Sequence, residues 1–257
     1  MRIAVIGMGR VGRPLSEAFG LQGHDVVTYG RDAVTRKQFA GLLGTDLAFI
    51  TLPDQILSIT ARDIPAMPSY GLVHCSGQTR NAELGSQVSM FHPMMSFTGK
   101  DSAEIFRGCP IGISSEDSRS VDILVQLAEE IGGRPFVLDE SMKETYHVAG
   151  MFASVFPLLL LYKALDLLEK AGISRQEAGM VLVPIFRRAA DHVLSEDQPG
   201  AITGPVPRED ISTIKAHLEQ LSGDDTDQEI YRVMTRLSLQ YCFPDERTRK
   251  TMEEMIL

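Results

Sequence analysis

Lys143 and His147 stand four residues apart, so on a helix their side chains share one face, and Gly150 and Ser154 prolong that stripe. A lysine placed there can give a proton to a carbonyl oxygen, with the imidazole assisting. A solvated first helical turn is the plainer reading of the same pair. His92-Pro93-Met94-Met95-Ser96-Phe97 and His74-Cys75-Ser76-Gly77 each set a histidine at the end of a short apolar run. Either histidine can bind a substrate or act as an acid, or simply cap a turn, which Pro93 would stiffen. Ser76 adds a hydroxyl, while Cys75 reads as packing rather than reactive. A further group is Thr203-Gly204-Pro205-Val206-Pro207-Arg208-Glu209-Asp210. Its glycine and prolines make a rigid loop in which Arg208 can grip a substrate carboxylate bidentately, or pair with Asp210 to fix the loop. Glu209 and Asp210 suit a helix start, where acids are favoured.

These groups need elements to hold them, and the first thirty-one residues supply the clearest. Met1 to Ile6 is apolar, Gly7-Met8-Gly9-Arg10-Val11-Gly12 follows without a gap, Pro14, Leu15, Ala18 and Phe19 have helical spacing, and Asp25 to Tyr29 is apolar again. Strand, glycine turn, helix, strand is the context in which G-x-G-x-x-G binds a dinucleotide. Gly7 permits the tight turn, Gly9 lets backbone approach a pyrophosphate, and Gly12 lets helix and strand pack closely, so phosphates meet free N–H groups at a helix start. The second strand ends Thr28-Tyr29-Gly30-Arg31. No acid stands there to hold a ribose 2′-OH, and the Arg31 fork matches a 2′-phosphate, so NADP is favoured while NAD remains open.

Asp46 to Leu52, ended by Pro53-Asp54, repeats the strand pattern, as do Gly71 to Gly77, Val88 to His92, Pro110 to Ser114 and Phe136 to Leu138, with a helix around Val121 to Ile131. Short apolar strands alternating with helices predict an α/β fold, a doubly wound parallel (Rossmann) sheet over residues 1–140. Ligands bind at the carboxyl ends of such strands, so the glycine turn, Leu52, Pro53, His74 and Ser76 should converge on one crevice. After Asp139 the texture becomes helical, with capping-box patterns at Ser141, Ser174 and Thr226, and residues 141–257 read as a smaller all-helical domain for substrate and dimerisation. Its first helix, Met142 to about Ala171, is apolar on more than one side and must be buried. The expected cover is a second copy of the chain.

A chain of 257 residues with 44% hydrophobic composition buries a sizeable core. Its net charge of −9 argues against general nucleic-acid binding. Cys75, Cys109 and Cys242 are odd in number, lack metal-type spacing and read as reduced thiols of a cytoplasmic protein without a metal site. The opening residues already read as a strand, so no signal peptide is expected. The most apolar stretch, Val148 to Tyr162, is short for a bilayer and contains Pro157, so no membrane span is expected.

Taken together, Met1 to Gly12, His74 to Gly77, His92 to Phe97, Tyr146-His147-Val148-Ala149-Gly150 and Thr203 to Asp210 resemble the Rossmann-like oxidoreductase family whose C-terminal region is a domain of unknown function, DUF2520. More remotely the chain is similar to the 6-phosphogluconate dehydrogenase-like superfamily, which includes ketopantoate reductase, pyrroline-5-carboxylate reductase and F420-dependent NADP reductases. That resemblance implies NADP-dependent hydride transfer and a helical, dimer-forming C-terminal domain. The superfamily's Lys-x-x-x-Asn motif falls on Lys143 and His147, with histidine in place of asparagine. Three functions are then in play. The first is a reductase of a small keto acid or imine, most concretely a ketopantoate-like 2-oxo acid. The second passes hydride between NADP and a deazaflavin, which needs room for another large planar ligand. The third is a non-catalytic NADP(H) sensor that needs the glycine turn but neither Lys143 nor Arg208.

Overall fold

The computed structural model describes residues 1–39, 41–64, 68–85, 87–192, 202–243 and 245–256. The chain divides into two compact units, Met1–Leu158 and Leu159–Leu257. The first carries β1 (Arg2–Ile6), α1 (Gly12–Leu21), β2 (Asp25–Tyr29), α2 (Arg31–Thr35), β3 (Leu47–Ile50), α3 (Asp54–Asp63), β4 (Leu72–His74) and α4 (Asn81–Leu84). It continues through β5 (Val88–Pro93), β6 (Pro110–Ser114), α5 (Ser118–Glu130), β7 (Arg134–Val137) and α6 (Lys143–Ala153). The strands form one sheet in the order β2-β1-β3-β4-β5-β6-β7.

Alternation along the strands builds a core on each face of this sheet. Ile3, Val5 and Phe49 join Leu15, Phe19, Leu124 and Leu127 on one side, whereas Ala4, Ile6 and Ile50 join Leu57 and Leu42 on the other. Both faces are therefore covered, and the fold is doubly wound as expected. The order reverses between β1 and β3, which both pair with parallel neighbours, and this switch point opens beside the glycine turn.

Two strands, β6 and β7, depart from the parallel expectation by running against the other five. β6 runs antiparallel to β5, with His92 opposite Gly112 and Pro93 opposite Ile111. Parallel neighbours need a crossover, usually a helix, and the connection from Met94 to Cys109 contains only a short 3-10 turn, Ala103–Phe106. The chain turns straight back instead, so Met94 N–H bonds to the Pro110 carbonyl at 2.8 Å.

The second unit is helical: most of α7 (Val155–Lys170), then α8 (Arg175–His192), α9 (Ile211–Gln220), α10 (Asp225–Cys242) and α11 (Glu246–Ile256). Val206, Ile214, Leu218, Leu239, Met252 and Ile256 make its core. Asp227 in α10 is 6% exposed and forms an ion pair with Lys163 of α7.

Several local expectations change. The capping box at Ser174 forms reciprocally, Ser174 N–H to Glu177 at 3.2 Å and Glu177 N–H to the Ser174 hydroxyl at 3.4 Å. Those at Ser141 and Thr226 do not, because a nearby aspartate takes the role. Asp139 accepts from Ser141 N–H and hydroxyl, and Asp224 accepts from Asp227 N–H. The expected single helix from Met142 to Ala171 is two, broken at Ser154 (φ −126°, ψ −66°). The division between units falls past α6 rather than at residue 140, because Lys143 is fully buried in the first unit. The apolar face expected to be covered by a second copy is exposed within the chain, where Phe152 is 62% and Leu159 53% exposed. The apolar stretch Val148 to Tyr162 lies inside a longer helical stretch, Glu140–Lys170, of 31 residues, long and apolar enough to cross a membrane by length and composition. Its first turn, however, is anchored on the sheet unit through Lys143.

Candidate functional site

At the carboxyl end of β1, Gly7 takes φ +104°, a conformation that favours glycine, and its N–H bonds to the Tyr29 carbonyl at 2.8 Å. The Thr51 hydroxyl, just past β3, donates to the Gly7 carbonyl at 2.5 Å and to the Ile6 carbonyl at 3.2 Å. A Cβ on Gly12 would collide with that carbonyl and that hydroxyl, and one on Gly7 would meet Leu52 Cδ2 at 2.7 Å. A Cβ on Gly9 would point into open space. The start of α1 has no side-chain cap and no acid in its first turn, so its free N–H groups and positive dipole end face that space.

This cradle fits a pyrophosphate. Gly7, Met8, Gly9, Arg10, Val11 and Gly12 form it; Met8 is half-buried against the core and Arg10 is exposed. Leu52 packs over Gly7, Pro53 precedes α3, and Arg31 is exposed at the first position of α2, directly after β2.

A second cluster lies at the carboxyl ends of β4 and β5. Ser76 N–H donates to His74 Nδ1 at 3.2 Å, so the proton of this neutral ring sits on Nε2 and is given to Asn81 Oδ1 at 2.8 Å. Asn81 passes the network on, donating to the Ser114 carbonyl at 3.2 Å and, through its N–H, to Glu140 at 2.6 Å. Lys143 Nζ donates to the Thr79 carbonyl and lies 3.5 Å from His74 Nε2. Since that Nε2 already carries a proton, the contact is a repulsion between donors. Burial first and the Lys143 charge second push His74 down to about 3. Lys143 itself falls to about 8 through burial, against the support of Glu140, Glu83 and Asp54. The solvated reading of Lys143 is therefore excluded, and its ammonium sits behind the turn after β4 rather than on an open surface.

His92 and His147 meet over Gly77. A Cβ on Gly77 would lie 2.9 Å from His147 Nδ1 and 2.9 Å from His92 Nε2, so glycine is what lets the rings approach the turn. The Tyr146 hydroxyl is 2.8 Å from His92 Nδ1, with the rings edge to face at 5.5 Å. Tyr146 reaches it over Gly112, where a Cβ would lie 3.1 Å from the hydroxyl. Burial raises the Tyr146 phenol further above its usual range, so it stays protonated and is able to donate to Nδ1. In the tautomer that accepts this bond, His92 Nε2 carries the ring proton beside Gly77. Burial, then His147 and Lys143, hold His92 near 4, neutral at physiological pH. A cavity of about 360 Å³ opens beside both imidazoles.

The sheet thus brings His74, His92, Lys143 and His147 together, but in two layers, with only His92 and His147 on the cavity. Ser76 is buried, its hydroxyl spent on the turn, where it accepts from Gln78 and Thr79 N–H and donates to Thr79. Burial pushes the Cys75 thiol up to about 12, in keeping with packing. In the second unit Thr203 and Arg208 are exposed, and Asp210 caps α9 by accepting from Thr213 N–H at 3.1 Å. Sequence reasoning gave Tyr146 and Asn81 no role of their own. Tyr146 was findable, being three residues from Lys143 on the same helical face; Asn81 left no local signal.

Fold and glycine cradle define a dinucleotide-binding Rossmann protein with a helical C-terminal unit. Residues 109–238 match the family described as Domain of unknown function (DUF2520), and the chain belongs to that family. No curated protein matches the sequence. Among solved structures the chain is similar to a candidate NADP oxidoreductase, BF3122 from Bacteroides fragilis, with 21% identity, TM-score 0.74, and 92% of this chain and 97% of that one covered. It is similar to protein TM1727 from Thermotoga maritima, with 21% identity, TM-score 0.73, and coverage of 93% and 98%. Pyrroline carboxylate reductase from Plasmodium falciparum with NADP bound shares 12% identity at TM-score 0.64, with 100% and 98% covered. At these identities the likeness is one of fold.

Proposed function

We infer that the protein is an NADP-dependent oxidoreductase that reduces a small carbonyl or imine substrate beside His92 and His147. The observation that carries this reading is the His92 ring. The Tyr146 hydroxyl engages its Nδ1, which leaves Nε2 beside Gly77 on a cavity at the carboxyl edge that also holds the glycine turn. The fold relatives support it, since their names include an NADP oxidoreductase and two reductases of C=N bonds, pyrroline carboxylate reductase and imine reductase.

The glycine turn would hold the pyrophosphate and Arg31 the 2′-phosphate. Reduced NADP, when bound, supplies the hydride. His92 donates its Nε2 hydrogen bond to the substrate oxygen or nitrogen, an interaction that strengthens as negative charge grows there. His147 closes the other side of Gly77. Lys143 adds to the burial that keeps His74 and His92 uncharged, and fixes the turn at Thr79. At about 360 Å³ the cavity is at the small end for ligand sites, which suits a small substrate rather than a deazaflavin. Steady-state assay of NADPH oxidation against a panel of small ketones, aldehydes and cyclic imines tests the reading, and inactivity with all of them overturns it.

Cofactor choice follows from Arg31. NADPH is expected to bind more tightly than NADH, and Arg31→Ala to cost about 1–3 kcal/mol of that preference, the worth of a charge-assisted contact. Fluorescence titration measures both, and equal affinities in the unsubstituted protein would sink the assignment.

The exposed apolar residues of α6 and α7, among them Phe152, Phe156, Leu158 and Leu159, support a homodimer through these helices. Light scattering should give twice the chain mass at micromolar concentration; a stable monomer would refute the assembly.

A further inference from the structure

The cavity beside the imidazoles is walled by Met94, Met95, Met151 and Ala153, with Ser96 and Ser154 adding hydroxyls. Among the described residues that line it there is no lysine, arginine, aspartate or glutamate. The Ser154 hydroxyl is spent on its own helix, donating to the Gly150 carbonyl at 2.7 Å. The nearest buried cation, Lys143, is turned away onto the Thr79 carbonyl. His92 is neutral and offers one hydrogen bond, which the reacting oxygen needs. A carboxylate entering this half-open space, where Met95, Ser96, Ala153 and Ser154 are exposed, would give up part of its hydration and meet no lysine or arginine, His147 being the one titratable side chain on the wall besides His92. Thioethers, by contrast, adapt to alkyl and aryl groups of varied shape.

We propose, resting on the reductase reading above, that the cavity takes an uncharged alkyl or aryl substituent of a neutral ketone or aldehyde, and that 2-oxo carboxylates are disfavoured substrates. The ketopantoate-like acid suggested by resemblance is thus the poorer candidate. In the reaction the carbonyl carbon gains the hydride carried by NADPH, the C=O π pair moves to oxygen, and that oxygen, held by the His92 hydrogen bond, takes one proton from solvent water that reaches the half-open cavity. The ketone becomes an alcohol as NADPH becomes NADP⁺.

Two compounds that differ only in methyl against carboxylate, 4-phenyl-2-butanone and 2-oxo-4-phenylbutanoate, test this with the full-length protein. The ketone should show a kcat/KM more than about tenfold above that of the keto acid, the order expected when one partner leaves a buried charge unpaired. Met151→Arg, which places a cation in the wall, should narrow or reverse that ratio. Binding without turnover is read by the shift in melting temperature on adding 4-phenyl-2-butanol. Faster reduction of the keto acid overturns the inference and leaves the reductase standing, as does a ratio unmoved by Met151→Arg. If neither compound is reduced yet the alcohol stabilises the protein and Met151→Arg abolishes that shift, the apolar cavity stands and the reductase reading falls. Neither reduction nor stabilisation overturns both.

Discussion

Gly12→Ala is expected to lose NADPH binding by about 100-fold or more, well beyond the single-contact cost of Arg31→Ala. The added methyl would collide with the Gly7 carbonyl and the Thr51 hydroxyl. Neither can give way, because they bond to one another and the Gly7 N–H is fastened to Tyr29. The start of α1 must therefore swing off the sheet, carrying away the N–H groups that would face the phosphates. The same overpacking should cost about 1–3 kcal/mol of stability. Gly9→Ala separates the two effects. Its methyl points into open space, so the melting temperature should hold while affinity falls. Calorimetric titration and thermal denaturation of both variants read this out. Unchanged affinity in Gly12→Ala would overturn the cradle.

His92→Ala should lower kcat by about 100- to 1000-fold with little change in KM, the scale for removing a preorganised donor to developing charge. Tyr146→Phe keeps the ring but releases its tautomer, so a smaller fall of about tenfold is expected. It should come with a pH profile displaced from that of the unsubstituted enzyme, which a loss of packing alone would not produce. Lys143→Met gives the competing outcome. If it abolishes turnover in a folded protein while His92→Ala leaves kcat intact, the lysine and not His92 serves the reacting oxygen.

How far the sequence leads differs from feature to feature. The glycine turn was legible because Gly7 takes a left-handed backbone conformation and Gly12 must clear the Gly7 carbonyl a few residues before it, both demands of the local chain path. The strands were legible from their apolar runs, but the direction of β6 was not, since the residues of Pro110–Ser114 suit either pairing; the missing helix in the connection before it was the available clue. Spacing placed Lys143 and His147 on one helical face without telling that the lysine would be sealed beneath Thr79 and the histidine left on the cavity. The Tyr146–His92 bond joins residues 54 apart and depends on Gly112 leaving room from a third strand, information that no local pattern holds. Competition between neighbouring caps was also invisible, since Asp139 and Ser141 both qualify by type and only the chain's path decides between them.

The crowding at Gly77 makes this position a reporter on two others far from it in the chain. With ring atoms of His92 and His147 both 2.9 Å from where a methyl would sit, residues 77, 92 and 147 can change only in concert. A relative that carries any side chain at the equivalent of 77 must have surrendered one imidazole or moved the turn. One letter of sequence would then sort family members that keep the two-histidine chemistry from those that have left it.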